Sequence, residues 1–313
     1  MIDRRQLLAT LAALAALPQA VRAQGASPRI LVGFPAGGSV DTTARRFAEF
    51  ARGKLGDPVL VEQKVGAGGR IAIGALKDAA PDGQTMLVSP SSMFTIYPHA
   101  YRRLAYNPAT DFIPAAPLAL STCVFGVGPR VPASVRTRAQ YADWAKANAD
   151  KAAYASPAAG AMPHFLGNQF ERAAGLKLTH VPYRGAAPGM QDLMGGQIAS
   201  GCFSIGDFLP HVASGRVRVL GVTDVARSRF APDVPTFEEQ GFKGIVGVES
   251  YGLFVPARTP QAVIDKVAEV ARAAVREASV VEALGKLGFE PLSLASADYT
   301  RRLATERDYW GPV

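Results

Sequence analysis

Alternating strands and helices at the start of the chain constrain the fold more than any other feature of the sequence. An apolar strand at 29–34 leads through a glycine-rich turn into an amphipathic helix at 41–54. A strand at 58–63, a helix at 71–79 and a strand at 85–89 follow. This βαβαβ order predicts an α/β fold with a parallel sheet that is covered by helices on both faces.

A second α/β unit is predicted further along the chain. Its helices are expected at 139–149, 164–174 and 187–195, and its strands at 154–156, 180–183, 197–203 and 217–222. A strand at 251–255 is expected to return to the first unit. The next helix is predicted to have Thr259 as its N-cap and Pro260 at its first position, and a last helix begins near Ser296.

Residues 1–23 have the pattern of an export signal. Arg4 and Arg5 form a charged start, an apolar run follows at 7–17, and residues 21–23 fit a cleavage site after Ala23. The apolar run is too short to cross a bilayer, for which about 20 residues are needed. We therefore expect a periplasmic protein that is exported by the Sec or the twin-arginine route, and the sequence leaves the route open.

The charge of the chain favours an anionic small molecule over a nucleic acid. The formal net charge is +8, and a basic surface steers anions towards a binding site. Lysine and arginine residues are scattered, without the stripe or the motif that nucleic-acid-binding proteins have. We expect no nucleic-acid partner.

Cys123 and Cys202 both lie in apolar stretches that are typical of buried strands. Export would permit a disulfide, but the sequence does not show whether the two Cα atoms come within bonding distance. We interpret them as two buried free thiols. Because no pair of Cys or His residues has the spacing of zinc ligands, we also expect no metal ion and no other cofactor.

Glycine-rich turns at 36–39 and 66–69 and the pair Ser91-Ser92 follow the first three predicted strands. Because the carboxyl ends of parallel strands meet at one edge of a sheet, these three segments are expected to lie together. A glycine-rich turn before a helix leaves backbone N–H groups free, and the helix dipole adds partial positive charge. We interpret the turns as a site for an anion. Asp41 is expected to cap the helix after the first turn or to interact with its N-terminus, with Arg45 as a structural partner on the helix.

No sequence pattern in the chain points to catalysis. The Gly-x-Ser-x-Gly elbow is absent, and residues 66–71 lack the last small residue of a dinucleotide-binding fingerprint. His164 is interpreted as a residue that caps a helix or lines a pocket. His99, His180 and His211 are interpreted as isolated structural residues. We therefore expect a binding protein and not an enzyme.

Seven motifs occur in order over some 200 residues. They are Phe34-Pro-Ala-Gly-Gly-Ser39 with Asp41, Val61-Glu62 with Gly66-Ala-Gly-Gly69, Pro81-Asp-Gly83, Tyr106-Asn-Pro with Asp111-Phe112, His180-Val-Pro-Tyr-Arg-Gly185, Asp192-Leu-Met-Gly-Gly-Gln197 and Asp233-Val-Pro-Thr236. In this combination the chain resembles the substrate-binding proteins of tripartite tricarboxylate transporters, which are the Bug-type periplasmic binding proteins.

The resemblance implies a two-domain periplasmic-binding fold of type II, with a ligand cleft between lobes that two crossing strands join. The implied lobes are 24–120 with 251–313, and 121–250. The implied function is an extracytoplasmic receptor that binds a small carboxylate and delivers it to membrane transporter subunits through transient contacts. A monomer is expected. A receptor that presents its ligand to a membrane sensor is the alternative, and an exported enzyme is a more remote one.

The resemblance also implies which residues bind the ligand. On the first lobe these are Phe34, Ala36, Gly37, Gly38, Ser39, Gly66, Ala67, Gly68, Ser91 and Phe94. On the second lobe they are Gly160, Ala161, His164, Tyr183, Ser204 and Asp207. The carboxylate is expected at the glycine turns, and the second lobe is expected to close over the far end of the ligand. Asp207 could favour a cationic group such as an ammonium, but we interpret it as a loop residue.

Three positions depart from the pattern of the family. Ala161 stands where a Ser or Thr is usual, Phe94 where a His is common, and Cys202-Phe203 where Phe-Asp is common. Each change removes a polar group, and a buried carboxylate without a partner costs several kcal/mol. We therefore expect the distal end of the ligand to be less polar than a second carboxylate, as in an aromatic or other mono-acid. The chain also stops a few residues before the usual end, so a shortened last helix is expected.

Overall fold

The computed structural model describes residues 27–312, so the predicted signal at 1–23 lies outside the described residues. Within them, ten strands form one continuous sheet with the order β2-β1-β3-β9-β4-β7-β5-β6, and β8 and β10 pair with β4. The strands are β1 (Arg29–Val32), β2 (Leu60–Gln63), β3 (Thr85–Pro90), β4 (Phe112–Val127), β5 (Ala153–Ser156), β6 (Thr179–Pro182), β7 (Ser200–Ser204), β8 (Arg218–Val222), β9 (Val248–Pro256) and β10 (Glu290–Pro291).

Helices cover the sheet, as the alternating pattern predicts. Those among the described residues are α1 (Ser39–Ala51), α2 (Arg70–Lys77), α3 (Ser92–Thr95), α4 (Tyr97–Ala100), α5 (Arg138–Ala147), α6 (Met162–Ala173), α7 (Ala186–Met194), α8 (Ile205–Val212), α9 (Gln261–Ala274), α10 (Ala278–Lys286) and α11 (Ser296–Trp310), with a 3-10 turn at Ala67–Gly69. None of the helices within 27–312 is long and apolar enough to cross a membrane.

The predicted α/β fold class is confirmed. Strand β1 lies between β2 and β3 with parallel pairing on both sides, and α1 buries Ala44, Phe47 and Ala51 against the sheet. Thr259 was expected to cap α9, but this is wrong. The N-cap is Pro260, because its carbonyl accepts the first helical bonds, from the N–H groups of Val263 and Ile264.

Strand β4 joins the two halves of the sheet. Its residues 112–122 pair with β9, while residues 123–127 pair with β7 and β8. We call the half with β1, β2, β3 and β9 the first lobe, and the half with β5, β6, β7 and β8 the second lobe. Thr223 anchors the return path beside β4, because its N–H donates to Cys123 O and its carbonyl accepts from Gly247 N–H.

The apolar core follows this division. One cluster is built mainly from residues within 30–119 and 251–303, and two clusters mainly from residues within 123–245. Ile96 and Trp310 of the first lobe pack into the core of the second, so the lobes touch through apolar contacts. Cys123 and Cys202 are buried free thiols, as predicted.

Gly252 on β9 offers a test of how tightly the first lobe is packed. A Cβ atom at this position would overlap the hydroxyl of Tyr299 and lie 2.5 Å from its Cε1. Because the Tyr299 ring is fully buried, it has no room to move aside. We expect Gly252→Ala to lower the free energy of unfolding by about 1–3 kcal/mol in urea denaturation.

Gly74→Ala is the matched control. Gly74 lies in α2, nothing lies within 4 Å of a Cβ atom built there, and alanine is the better helix former by about 1 kcal/mol. We expect this variant to be as stable as wild type or slightly more stable. An equal loss in both variants would contradict the packing argument.

Candidate functional site

Three cavities lie in a row where the lobes meet. The inner cavity, of about 50 Å³, is lined by residues that include Ser39, Ser204, Asp207 and Glu249. The middle cavity, of about 280 Å³, is lined by residues 65–70 and by 182–185 of the second lobe, among others. The outer cavity, of about 500 Å³, is lined by residues that include His99, His164 and Trp310. Phe34 and Pro157 line both the inner and the middle cavity, so these two are neighbouring parts of one cleft.

The predicted site residues divide among these cavities. Those that line the inner cavity are Phe34, Gly38, Ser39, Ala161, Ser204 and Asp207. Those that line the middle cavity are Phe34, Gly66, Ala67, Gly68 and Tyr183. Gly160 and His164 line the outer cavity. Among the described residues, Ala36, Gly37, Ser91 and Phe94 line none of the three.

Phe94 lies in the core of the first lobe. Its ring stacks on Phe254 with the ring centroids 3.8 Å apart, and it meets the edge of Phe112 at 5.5 Å. The side chain is therefore directed into an aromatic cluster and not into the cleft. Ser91 reaches the cleft indirectly, because its hydroxyl donates to Glu249 Oε1 over 3.1 Å.

The first glycine turn is largely satisfied by a carboxylate of its own helix. Gly37 N–H donates to Asp41 Oδ2 over 3.0 Å, and Arg45 Nε donates to the same oxygen over 2.9 Å. Gln63 Nε2 donates to Asp41 Oδ1. Burial raises the pKa of Asp41, but these three hydrogen bonds and the Arg45 charge lower it below its ordinary value. The N-cap of α1 is Gly38, without a side-chain cap bond, and Asp41 lies in the first turn, so its expected role as the cap is wrong. Its interaction with the N-terminus of the helix and its arginine partner are present, and Gly37 N–H is not available to a ligand.

A second carboxylate, from the other lobe, meets the N-terminus of α1. Ser39 Oγ donates to Asp207 Oδ1 over 2.8 Å, and the backbone of Ser39 and of Ser204 also hydrogen-bonds to this carboxylate. Asp207 lies in the first turn of α8, so its interpretation as a loop residue is wrong. Burial raises the pKa of Asp207 to about 6, although these hydrogen bonds act to lower it. The chain's own carboxylate therefore takes the anion position at α1 and bridges the lobes.

The second glycine turn is built differently. Gly66, Ala67, Gly68 and Gly69 all have positive φ angles, of 140°, 49°, 63° and 87°. Ala67 has a Cβ atom and pays about 1–2 kcal/mol for this conformation. The turn closes through Gly69 N–H, which donates to Gly66 O over 3.0 Å. This bond does not use the N–H groups of Ala67 and Gly68, and both residues line the middle cavity.

Two arginines flank this turn. Arg70 Nε donates to Ala67 O over 2.8 Å, and its guanidinium lies 4.0 Å from the centre of the Tyr101 ring. Arg184 lines the same cavity from the second lobe. The Tyr183 hydroxyl is engaged elsewhere, because it donates to Asp192 Oδ2 over 2.7 Å; burial and this carboxylate raise its pKa to about 12. The middle cavity therefore has a positive wall.

Glu249 is a site residue that the sequence analysis missed. It lies on β9, is 4% exposed and lines the inner cavity. Its Oε1 accepts from Ser92 N–H over 2.8 Å and from the Ser91 hydroxyl. Burial and the nearby Glu306 charge raise its pKa to about 7. The sequence signal that could have revealed Glu249 is the polar pair Glu249-Ser250, directly before an apolar strand. We expected this strand to begin only at Tyr251.

His164 and His180 form a stacked pair with their ring centroids 3.8 Å apart, so the interpretation of His180 as isolated is wrong. Gly160 N–H donates to His164 Nδ1 over 3.1 Å. Burial lowers the pKa of both rings, that of His180 to about 3. His180 Nε2 lies 2.7 Å from Ser156 Oγ, whose proton goes to Ala158 O. The pair therefore braces the loop at 157–163.

A family model described as "Tripartite tricarboxylate transporter family receptor" matches residues 43–313. The chain belongs to this family. BugT of Bordetella pertussis is 30% identical over 91% of this chain and 87% of its own length. This receptor family is periplasmic, in agreement with the compartment expected from the sequence.

Two solved structures resemble the receptor over nearly its whole length. The periplasmic binding protein BugD is 31% identical, with a TM-score of 0.86 over 91% of this chain and 95% of BugD. MatC from Rhodopseudomonas palustris, solved with bound malate, is 27% identical, with a TM-score of 0.85 over 91% of this chain and 98% of MatC. The fold of this receptor is therefore that of a periplasmic binding protein of the Bug type.

Glu249 gives the receptor a pH dependence whose sign follows from its raised pKa. The folded chain keeps this proton to a higher pH than the unfolded chain does. The resulting stability is complete below the ordinary pKa near 4.5 and is lost as the pH rises through about 7. The glutamine of Glu249→Gln is neutral at both pH values. The Tm of this variant minus that of wild type should therefore be a few degrees larger at pH 8 than at pH 5, which corresponds to an effect on the order of 2 kcal/mol.

Asp265→Asn is the control for this measurement, because Asp265 is an exposed residue of α9. Its Tm difference from wild type is expected to be the same at both pH values. If Glu249→Gln also showed the same difference at pH 5 and pH 8, the buried carboxyl would not be the source of the dependence.

Proposed function

We propose that this receptor binds a small carboxylate in the cleft and delivers it to the membrane subunits of a tripartite transporter. One acid group of the ligand lies in the middle cavity. The observation that carries this proposal is the Gly66–Gly69 turn, with its run of positive φ angles and with Arg70 and Arg184 on the wall of the same cavity.

This wall has the chemistry of a carboxylate site. Backbone N–H groups outside the turn's own hydrogen bond can donate to a carboxylate oxygen, and guanidinium groups make charge-assisted hydrogen bonds with carboxylates. Among the described residues that line the middle cavity there is no Asp or Glu, so a ligand carboxylate meets no like charge there. Malate in MatC is a carboxylic acid, which supports the same class of ligand here.

We further propose that the lobes, 24–120 with 251–313 and 121–250, move relative to each other about β4 and the return path to β9. Contacts between them in the present form support a closed state. Tyr101 hydroxyl donates to Ala159 O over 2.8 Å, and Asp207 accepts from Ser39. A ligand that touches both lobes shifts the equilibrium towards this closed form.

The receptor acts as a monomer and does not transform its ligand. The engagement of Ser156 with Ala158 and His180 supports a structural role for the only histidine pair that the described residues place near the cleft. Native mass spectrometry of the chain purified from the periplasm tests the binding role directly. A bound molecule with the mass of an intact carboxylate is the expected result, and a ligand recovered with altered mass after incubation would contradict the non-catalytic role.

Arg184→Gln tests the middle cavity, because Arg184 is exposed and lines it from the second lobe. Loss of a charge-assisted hydrogen bond of about 1.5–3 kcal/mol should weaken carboxylate binding by about tenfold or more. Isothermal calorimetry with the carboxylate identified by mass spectrometry, and with malate and benzoate as reference acids, measures this change. Arg70→Gln should act in the same direction.

Arg276→Gln is the matched control, since Arg276 is an exposed arginine that lines none of the three cavities described above. It should bind every acid as wild type does. Equal weakening by Arg184→Gln and Arg276→Gln would point to general charge steering. Unchanged binding in both Arg184→Gln and Arg70→Gln would remove the carboxylate from the middle cavity.

A further inference from the structure

The cleft carries opposite charges in its two neighbouring cavities. The inner cavity is lined by the carboxyl groups of Asp207 and Glu249, and none of its described lining residues is Lys, Arg or His. The middle cavity is lined by Arg70 and Arg184 and by no described acidic residue. Since Phe34 and Pro157 line both cavities, the two oppositely charged walls adjoin at these residues.

The carboxyl groups of the inner cavity have only neutral partners. Asp207 accepts from the hydroxyl of Ser39, and Glu249 accepts from the hydroxyl of Ser91 and the N–H of Ser92. Two ionised carboxylates without a cation in a site of low dielectric are costly. This cost is consistent with the raised pKa values of Asp207, about 6, and Glu249, about 7.

An unused hydroxyl lies in the same cavity. Ser92 is fully buried and lines the inner cavity. Its Oγ is near enough to the Glu249 carboxylate to act against the rise of that group's pKa, but it makes no hydrogen bond of acceptable geometry within the described residues. A buried hydroxyl without a partner is unfavourable by about 1–3 kcal/mol. The cavity thus presents two carboxylates and a free hydroxyl oxygen, all of which accept hydrogen bonds from an N–H donor.

We propose that the ligand carries a protonated amine, which lies in the inner cavity against Asp207 and Glu249 with Ser92 Oγ as a further acceptor, while its carboxylate lies in the middle cavity. This inference rests on the proposed function, because it takes the carboxylate position from there. The ligand class is a short amino-carboxylate whose carbon chain lies against Phe34 and Pro157. A second carboxylate in the inner cavity would meet two like charges.

Matched acids of equal carbon number test the proposal. For chains of four, five and six carbons, the amino-carboxylate, the simple mono-acid and the dicarboxylate are compared by isothermal calorimetry at pH 7.5, beginning with 4-aminobutanoate, butanoate and succinate. Aspartate against succinate and glutamate against glutarate extend the comparison to α-amines. For at least one carbon number the amine should bind about tenfold more tightly than both partners.

Variants of the inner cavity test whether Asp207 and Glu249 cause the preference for an amine. Asp207→Asn and Glu249→Gln should each weaken the amino-carboxylate by about tenfold, while the affinity for the dicarboxylate stays the same or rises because a like charge is gone. Both variants keep an oxygen that accepts from the serine donors, and their melting curves report whether they fold. Asp265→Asn on the surface of α9 should change none of these affinities.

The outcomes separate this inference from the proposed function. If dicarboxylates or simple mono-acids bind at least as tightly as their amines at every chain length, the amine position is wrong and the carboxylate receptor stands. If Asp207→Asn and Glu249→Gln leave a clear amine preference unchanged, the inner cavity is not the source of it and the inference fails. If no acid of the panel binds, the proposed function fails together with it.

Discussion

The cleft depends on one strand that belongs to both lobes. β4 forms an antiparallel ladder with β9 up to Thr122 and with β7 from Cys123 onward. Because one backbone is hydrogen-bonded into both halves of the sheet, the lobes stay joined, and the lobe motion proposed above would require a change of twist between these residues. Ser121 and Ser204 hydrogen-bond across this junction. Glu249 on β9 and Ser204 at the end of β7 both line the inner cavity, so the cavity lies beside the junction between the two halves of the sheet.

Local sequence patterns predicted the parts of the fold that depend on local physics. The apolar periodicity gave α1 and α9 to within a few residues, and the glycine-rich turns were correctly located at the ends of β1 and β2. The chemical role of the two turns could not be predicted from the nearby sequence. Ser39 and its partner Asp207 are 168 positions apart, and Glu249 is 157 positions from Ser92. Whether a free N–H stays free is decided by such distant carboxylates, which periodicity and composition do not reveal.

The two glycine turns show how similar sequences acquire different chemistry. The first turn precedes the 13-residue helix α1, whose dipole attracts anions. The carboxylates of Asp41 and Asp207 both lie at this N-terminus, so the chain supplies its own anions there. The second turn adopts a left-handed run that costs backbone strain at Ala67 and is accompanied by two arginines without an acid on the same cavity wall. Backbone strain of this kind is concentrated at binding and active sites in proteins.

If the lobes close as proposed, Asp207 couples the charge of the cleft to this closure. In the closed form its carboxylate lies between the lobes, with serine and backbone donors as partners and no cation among the residues that line the inner cavity. In the proposed open form this group would return to water, so closing without a ligand would carry a desolvation cost. A cationic group of a ligand offsets that cost only in the closed form. Since a ligand shifts an equilibrium only by its differential affinity for the two states, the proposed closure would then depend on a filled cleft.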